Sequence, residues 1–158
     1  MKKVLSILIV AIIFTIGCKK DDEVDPAVQL ALDKVKIQEY LIANNITATQ
    51  TSSGLFYVIE NEGTGTEYPS ATSTVTIKYR GYLLDHTVFD ETTGNTTKSF
   101  NLSVLIEGMR EGIQLLKQGA EGRLFIPSTL AYGTVGTDNI PENSCLIFEI
   151  EIISFSND

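Results

Sequence analysis

Tryptophan is absent from this sequence, and histidine occurs only once. A Ser-His-Asp or Cys-His catalytic set needs a histidine beside its nucleophile, and the single His86 follows an apolar strand in a predicted turn. A zinc-type metal site needs several ligands, and there is no second histidine to join the first. Nucleophilic and metal-assisted hydrolysis are therefore poor interpretations of this chain, and no metal site is predicted.

Basic residues are also few, since 12 lysines and arginines stand against 20 aspartates and glutamates, a net charge of -8. Nucleic acid binding needs a basic face that neutralises phosphates, so this balance argues against a nucleic acid partner. No glycine-rich phosphate loop precedes a predicted helix and a basic residue. The 158 residues, 43% of them hydrophobic, are enough for one packed domain and a short extension.

The N-terminus has the charge and length of a secretory signal peptide. Lysines at positions 2–3 precede an apolar run over residues 4–16, which is followed by Gly17 and Cys18. The run is too short for a comfortable membrane span, which takes about 20 apolar residues. A cysteine directly after a small residue resembles a bacterial lipoprotein signal, so residues 1–17 are predicted to be removed and Cys18 to carry the lipid.

The alternative is an ordinary signal peptide that is cut nearby and leaves a free cysteine, although exported proteins rarely keep an exposed free thiol. Residues 18–25 comprise the lipidated cysteine and a polar run that is predicted to be a tether between the lipid and the fold. With Cys18 lipidated, Cys145 has no disulfide partner. Its place in an apolar strand predicts a buried, unreactive thiol.

A helical pattern follows the tether. Asp25 can cap a helix that begins at Pro26 and continues to about Asn44. Apolar residues recur about three or four positions apart along it: Val28, Leu32, Val35, Ile37 and Leu41. A helix this short is expected to pack on the domain rather than pair with a second copy, so a monomer is predicted. The polar, threonine-rich stretch that completes residues 26–53 is predicted to be a linker.

Two alternating apolar runs near the C-terminus flank a long connection. The first run closes at Pro127, which lacks a backbone donor, and the second spans Cys145 to Phe155. Both have the period of two that is typical of half-buried strands. The connection over residues 128–144 is longer than ordinary loops without secondary structure and carries several large apolar groups, so we expect it to fold over a pocket.

The domain proper is predicted to cover residues 54–158. Residues 75–90 read VTIKYRGYLLDHTVFD, a strand with one apolar face that continues into a hairpin. The hairpin turn holds His86, and histidine is among the few side chains tolerated at positive φ. A turn and a short helix are predicted over residues 105–119.

Together, three segments resemble the FKBP-type peptidyl-prolyl isomerases: the hairpin segment over residues 75–90, LAYG over residues 130–133 and IPENSCLIFEIEI over residues 140–152. No single residue in them is specific, but the spacing agrees over residues 54–158. The resemblance implies an α+β fold: a twisted antiparallel sheet of about five or six strands wrapped on one short helix, here preceded by the short N-terminal helix.

The resemblance also implies a site. Tyr132 would donate a hydrogen bond to the substrate carbonyl at or before proline, and Asp90 would polarise and position through Tyr79 or through the substrate itself. The implied pocket is lined by Phe89, Phe100, Leu105, Ile106, Met109, Ile140 and Phe148. Taken singly, each aromatic residue can be plain core and Asp90 a turn or capping acid; their joint spacing favours the site.

Met109 stands where the family most often has tryptophan or another large apolar residue. Because methionine gives apolar surface with less rigidity than an aromatic ring, we expect lower ligand affinity and lower turnover. This departure keeps an alternative open, in which the same fold is a non-catalytic module that binds proline peptides or acts as a chaperone.

Prolyl isomerisation needs no nucleophile, and no cofactor is predicted. Its barrier of about 20 kcal/mol arises from the partial double-bond character of the amide, and a dry apolar pocket with a well-placed donor favours the twisted bond. The predicted function is isomerisation of Xaa-Pro bonds in proteins that fold in the cell envelope. The lipid would hold the protein to a bacterial membrane, with the periplasmic or surface side of the outer membrane as the expected place.

Overall fold

A computed structural model describes residues 24–157 of the chain. The predicted signal peptide, the predicted lipidation of Cys18 and most of the predicted tether lie outside this range. Within residues 24–157, no helix is both long enough and apolar enough to cross a membrane.

The described chain folds into two α-helices and a seven-stranded sheet in which every pairing is antiparallel. In chain order the elements are α1 (Pro26–Ala43), β1 (Thr49–Gln50), β2 (Phe56–Asn61), β3 (Thr74–Leu83), β4 (Val88–Glu91), β5 (Lys98–Asn101), α2 (Glu107–Ile113), β6 (Glu121–Ile126) and β7 (Leu146–Ser156), with short 3-10 turns at Leu102–Val104 and Ser128–Leu130. The order across the sheet is β1-β2-β6-β7-β3-β4, and β5 pairs with the first half of β3 beside β4. The predicted α+β architecture is confirmed.

The sheet has seven strands rather than five or six, partly because the stretch predicted as a linker contributes β1. Thr49 pairs with Tyr57 and Gln50 with Phe56. Both β1 residues are exposed, so this edge strand carries no apolar alternation, and its polar residues resemble a linker in the sequence.

The main core lies between α2 and one face of the sheet. On β3 the predicted alternation is correct, since Val75, Ile77 and Tyr79 are all buried there. The helix packs closely on β6 because Gly112 has no side chain; a Cβ at that position would lie 2.3 Å from Leu124 Cδ1. This helix ends at Ile113, earlier than predicted, and turns complete the segment.

The opposite face of the sheet is partly covered by α1, which begins at the predicted cap, where Ala27 N–H donates to Asp25 Oδ1 at 2.8 Å. A second cluster of buried residues joins this helix to the sheet: Ile37, Leu41, Phe56, Tyr82, Phe125, Cys145 and Ile147. Phe125 and Ile147 are thus apolar at positions where strict alternation places polar side chains, because a helix covers them. The expectation that α1 packs on the domain is correct.

The predicted apolar stripe of α1 is only partly right. Val28, Leu32 and Val35 are about half exposed, and the buried face instead carries the polar residues Gln29 and Asp33. A four-residue spacing defines this face, and the two polar side chains can be buried because they are hydrogen-bonded to each other.

Candidate functional site

A cavity of about 540 Å³ opens between α2, the strands β3 to β5 and the connection over residues 128–144. Its wall contains every predicted site residue except Cys18, which lies outside the described range. The lining comprises Tyr79, Phe89, Asp90, Phe100, Val104, Leu105, Ile106, Met109, Tyr132, Thr137, Asn139, Ile140 and Phe148. The three segments that carry the family resemblance therefore line one cavity. Val104, Thr137 and Asn139 also line it and were not predicted.

Aromatic rings form one side of the cavity. Tyr79 meets the edge of Phe100 at a centroid distance of 5.8 Å, and Phe89 meets Phe148 in the same manner at 5.5 Å. These are favourable edge-to-face pairs. Gly81 lies behind the second pair, where a Cβ would be 2.6 Å from the Phe89 ring and 2.9 Å from the Phe148 ring. A side chain at this position would push the aromatic wall into the cavity.

The floor of the cavity contains Met109, which is buried at 4% exposure on α2. Leu105 and Ile106, directly before the helix, are half-buried and pack against the main core. These three residues are apolar, and there is no aromatic ring at the methionine position.

A network of polar side chains, formed by Tyr79, Asp90 and Lys98, lies beside the aromatic rings. The Tyr79 hydroxyl donates to Asp90 Oδ2, while Lys98 Nζ donates to Tyr79 Oη at 2.8 Å and to Asp90 Oδ1 at 3.1 Å. The backbone brings them together because Asp90 pairs with Gly81 and Lys98 with Ile77 on the same edge of β3. Sequence reasoning missed Lys98, which sits at the end of a polar loop with no motif around it.

The electrostatics of this network favour a neutral phenol, a carboxylate and an ammonium. Burial and the hydrogen bond to Asp90 raise the pKa of Tyr79. Burial also raises the pKa of Asp90, but the hydrogen bonds from Tyr79 and Lys98 and the lysine charge outweigh it and leave this pKa below its ordinary value. Hydrogen bonds to Tyr79 and Asp90 raise the pKa of Lys98. At neutral pH the Asp90 charge is therefore retained at the cavity wall.

Tyr132 stands on the opposite rim, with 39% of its surface exposed. Backbone hydrogen bonds hold the turn around it: the Ser128 carbonyl accepts from Ala131 N–H at 3.0 Å and from Gly133 N–H at 2.9 Å, and the Gly133 carbonyl accepts from Asn143 N–H at 2.7 Å. The long connection is thus held by its own backbone hydrogen bonds, and it places Tyr132 in the cavity wall.

Two other predicted features lie away from the cavity. His86 adopts a φ of 69° in the hairpin turn, as its residue type allows, and its ring stacks on Tyr82 at 6.1 Å. Cys145 is buried as expected, and burial raises the pKa of its thiol to about 12. Among residues 24–157, no group of histidine, cysteine, aspartate and glutamate side chains is placed to hold a metal ion.

Comparison with known proteins identifies relatives of this arrangement. A family model described as FKBP-type peptidyl-prolyl cis-trans isomerase matches residues 65–153. The FKBP-type peptidyl-prolyl cis-trans isomerase FkpA of Aeromonas hydrophila is 40% identical over 122 residues, which cover 75% of this chain and 45% of the relative. FkpA of Escherichia coli is 39% identical over 104 residues, 65% of this chain and 38% of the relative. The chain spans less than half the length of these curated relatives.

Solved structures show the same fold. The crystal structure of FkpA from Escherichia coli superposes with a TM-score of 0.72 at 33% identity, covering 84% of this chain and 63% of that chain. The peptidyl-prolyl cis-trans isomerase of Pseudomonas syringae pv. tomato superposes with a TM-score of 0.69 at 29% identity, covering 84% of this chain and 97% of that chain.

Proposed function

Because the chain belongs to the family of FKBP-type peptidyl-prolyl cis-trans isomerases, we propose that it catalyses cis-trans isomerisation of Xaa-Pro bonds. The observation that carries this proposal is one cavity whose lining brings an aromatic wall together with Tyr132, Tyr79 and Asp90, the last two of which are hydrogen-bonded to Lys98. The substrate class is a polypeptide segment that contains proline.

The reaction requires rotation about a C–N bond, and no covalent bond is broken. The planar amide is more dipolar than the twisted one because its resonance is lost on twisting. An apolar pocket that excludes water therefore favours the twisted form over the planar form. The proline ring would lie against Phe148 and Met109, while the Tyr132 hydroxyl on the rim donates to the carbonyl at or before proline.

Asp90 is the second group, after Tyr132, that acts on the substrate in this proposal. Its carboxylate accepts hydrogen bonds from Tyr79 and Lys98, so its orientation is held from two sides, and its charge lies at the cavity wall. There it can polarise the substrate amide directly or through the Tyr79 hydroxyl. Because half of this side chain is exposed, its effect on the amide would be strongest once a bound peptide excludes water from it.

We further propose that the protein works in the cell envelope, anchored through a lipid on Cys18. The N-terminal sequence supports this proposal, because a basic start, an apolar run and a small residue precede the cysteine. The clients would be proteins folding outside the cytoplasm, where slow proline isomerisation limits folding. We also propose that it acts as a monomer, because α1 packs on its own sheet and this contact buries Ile37 and Leu41. Loss of membrane association in Cys18→Ser tests the anchor.

The test of the activity is the cis-to-trans rate of an Ala-Leu-Pro-Phe peptide in the presence of residues 24–158. We expect clear acceleration, which a Tyr132→Phe, Asp90→Ala double variant loses. Tyr68→Phe is the matched control, since Tyr68 is an exposed tyrosine that does not line the cavity, and it should retain the wild-type rate. No acceleration by the folded wild-type protein would overturn the proposal.

A non-catalytic peptide-binding module is the second candidate, and Met109 in the floor is the observation that favours it. A flexible floor holds an apolar peptide but constrains the twisted amide less than a ring does. The two functions separate in the Asp90→Ala variant. An isomerase loses turnover more than peptide affinity, whereas a parallel loss of both indicates binding alone.

A further inference from the structure

Asp33 on α1 is a buried acidic residue that the proposed reaction does not use. Its side chain has 0% exposure and accepts hydrogen bonds at both oxygens. Oδ1 accepts from Gln29 Nε2 at 2.8 Å and from Lys36 Nζ at 3.4 Å, while Oδ2 accepts from the Ser128 N–H at 2.9 Å and from the Ser128 hydroxyl at 2.5 Å. A buried carboxyl group with these partners holds Ser128 firmly in place.

Ser128 holds the turn that carries Tyr132. It is fully buried and begins the 3-10 turn directly after Pro127. Its carbonyl accepts the N–H groups of Ala131 and Gly133, the two neighbours of Tyr132. The carboxyl group of Asp33 thus binds the amide and hydroxyl of the same residue whose carbonyl fixes the backbone on both sides of the tyrosine.

We propose that Asp33 is a positioning residue for Tyr132 and acts on it through Ser128. Helix α1, which precedes the segment matched by the family at residues 65–153, would then be a functional part of the site rather than only a cover for the sheet. The proposal rests on the proposed isomerase function for its effect on rate. Displacement of a catalytic group by about 1 Å is enough to cost large factors in rate.

The first test is a double-mutant cycle on the full-length protein, purified in detergent, with the tetrapeptide as substrate. We expect Asp33→Ala to lower kcat/KM about tenfold when Tyr132 is present. In a Tyr132→Phe background it should have less than about a twofold effect, because the hydroxyl it positions is already gone. Equal losses in both backgrounds would show that Asp33 does not act through Tyr132 and would overturn the proposal.

Ile37→Ala is the matched control for this cycle. Ile37 lies one helical turn from Asp33, is also fully buried, and is outside the hydrogen bonds to Ser128. Its truncation loosens α1 on the sheet to a comparable extent, but kcat/KM should stay within about twofold of wild type. A tenfold loss in Ile37→Ala would assign the effect to helix packing and not to the hydrogen bonds.

Two further variants keep the test decisive if Asp33→Ala does not fold. Ser128→Ala removes the hydroxyl that Asp33 binds while the backbone N–H remains, so it should lower kcat/KM in the same Tyr132-dependent way but by a smaller factor. Asp33→Asn can still offer one oxygen to Ser128 and should restore much of the loss in Asp33→Ala. Wild-type kcat/KM in Ser128→Ala would overturn the proposal.

Amide hydrogen exchange gives a readout that does not depend on turnover. The Ala131 and Gly133 amides should exchange faster in Asp33→Ala or Ser128→Ala than in Ile37→Ala, because their acceptor on Ser128 is no longer held. If the wild-type protein lacks isomerase activity, the proposed function fails and exchange alone decides the positioning role. Unchanged exchange at these two amides would overturn it.

Discussion

Two walls of the cavity are held in different ways: the strand wall, on β3, β4 and β5, and the loop wall, formed by residues 128–144. Each wall has an aspartate hydrogen-bonded to it. On the strand wall, Asp90 has 52% of its side chain exposed and shares its partners with solvent. On the loop wall, Asp33 has 0% exposed and binds Ser128 from behind. The backbone ladder already fixes the strand wall, so its aspartate is available for the substrate. The loop wall has no such ladder, and a buried side chain takes over that task.

The difference has a physical reason. β4 and β5 are bonded to β3 along their length, and a half-exposed ion pair on such strands adds little to stability because water screens it. Residues 128–144 have only the turns and bonds of their own backbone. A buried acceptor that satisfies several donors stabilises such a segment far more, since those donors would otherwise be buried without partners.

The largest expected effect is the contrast in stability between the two aspartates. Asp33→Ala should lower the free energy of unfolding by about 3–5 kcal/mol, because it leaves the Gln29 amide and the Ser128 N–H and hydroxyl without their acceptor. Asp90→Ala should cost less than about 1 kcal/mol. Thermal unfolding measures both, and the first variant should unfold roughly 10 °C lower than wild type. Equal losses would contradict the comparison.

A second expected effect concerns the aromatic side of the strand wall. In Gly81→Ala the new methyl group would meet the Phe89 and Phe148 rings, and we expect a loss of about 1–3 kcal/mol in stability, together with weaker peptide binding as the rings move into the cavity. Thr76→Ala, on the opposite face of the same strand, is the control and should retain wild-type affinity. Titration calorimetry with a proline peptide measures the affinity; unchanged affinity in Gly81→Ala would show that the rings are not part of the binding surface.

Outside the cavity, the buried thiol of Cys145 reports whether α1 stays packed on the sheet. Cys145 lies in the cluster between the helix and the sheet, and burial raises its pKa to about 12, so the thiolate needed for alkylation is scarce at pH 8. We expect iodoacetamide to leave Cys145 unmodified in the native protein and to label it in urea, as peptide mapping would show. Ile37→Ala should speed the labelling. Rapid native labelling would mean that the helix opens often.

Periodicity explains which parts of this fold were predictable. Residues on one face of β3 recur every second position, and the burial of Val75, Ile77 and Tyr79 follows directly. In α1 the same logic misled, because the helix has two candidate faces and the more apolar one, with Val28, Leu32 and Val35, is the exposed one. The choice between them is made by polar partners on a distant segment, which local spacing does not encode.

The candidate site was also predictable only in part. The family resemblance placed its aromatic and tyrosine positions, because they occur in runs of recognisable order. Lys98 and Asp33 belong to no run: the first reaches Tyr79 and Asp90 through the pairing of β5 with β3, and the second reaches Ser128 across the domain. Contacts of this kind depend on the register of separate elements, and a single polar residue carries no signal of its partner.

The smallest expected effect is the pH dependence of the strand wall. The pKa of Asp90 is lowered in the folded state because the bonds from Tyr79 and Lys98 outweigh burial, so their stabilisation is present above the ordinary aspartate value and is lost as pH falls through the lowered one. We expect kcat/KM to stay level from pH 7 to about pH 4 and to decline below it, while Asp90→Asn shows no such decline. Circular dichroism at each pH separates this titration from unfolding. A decline centred above about pH 5 would mean that the hydrogen bonds to Asp90 do not hold its charge while the enzyme turns over.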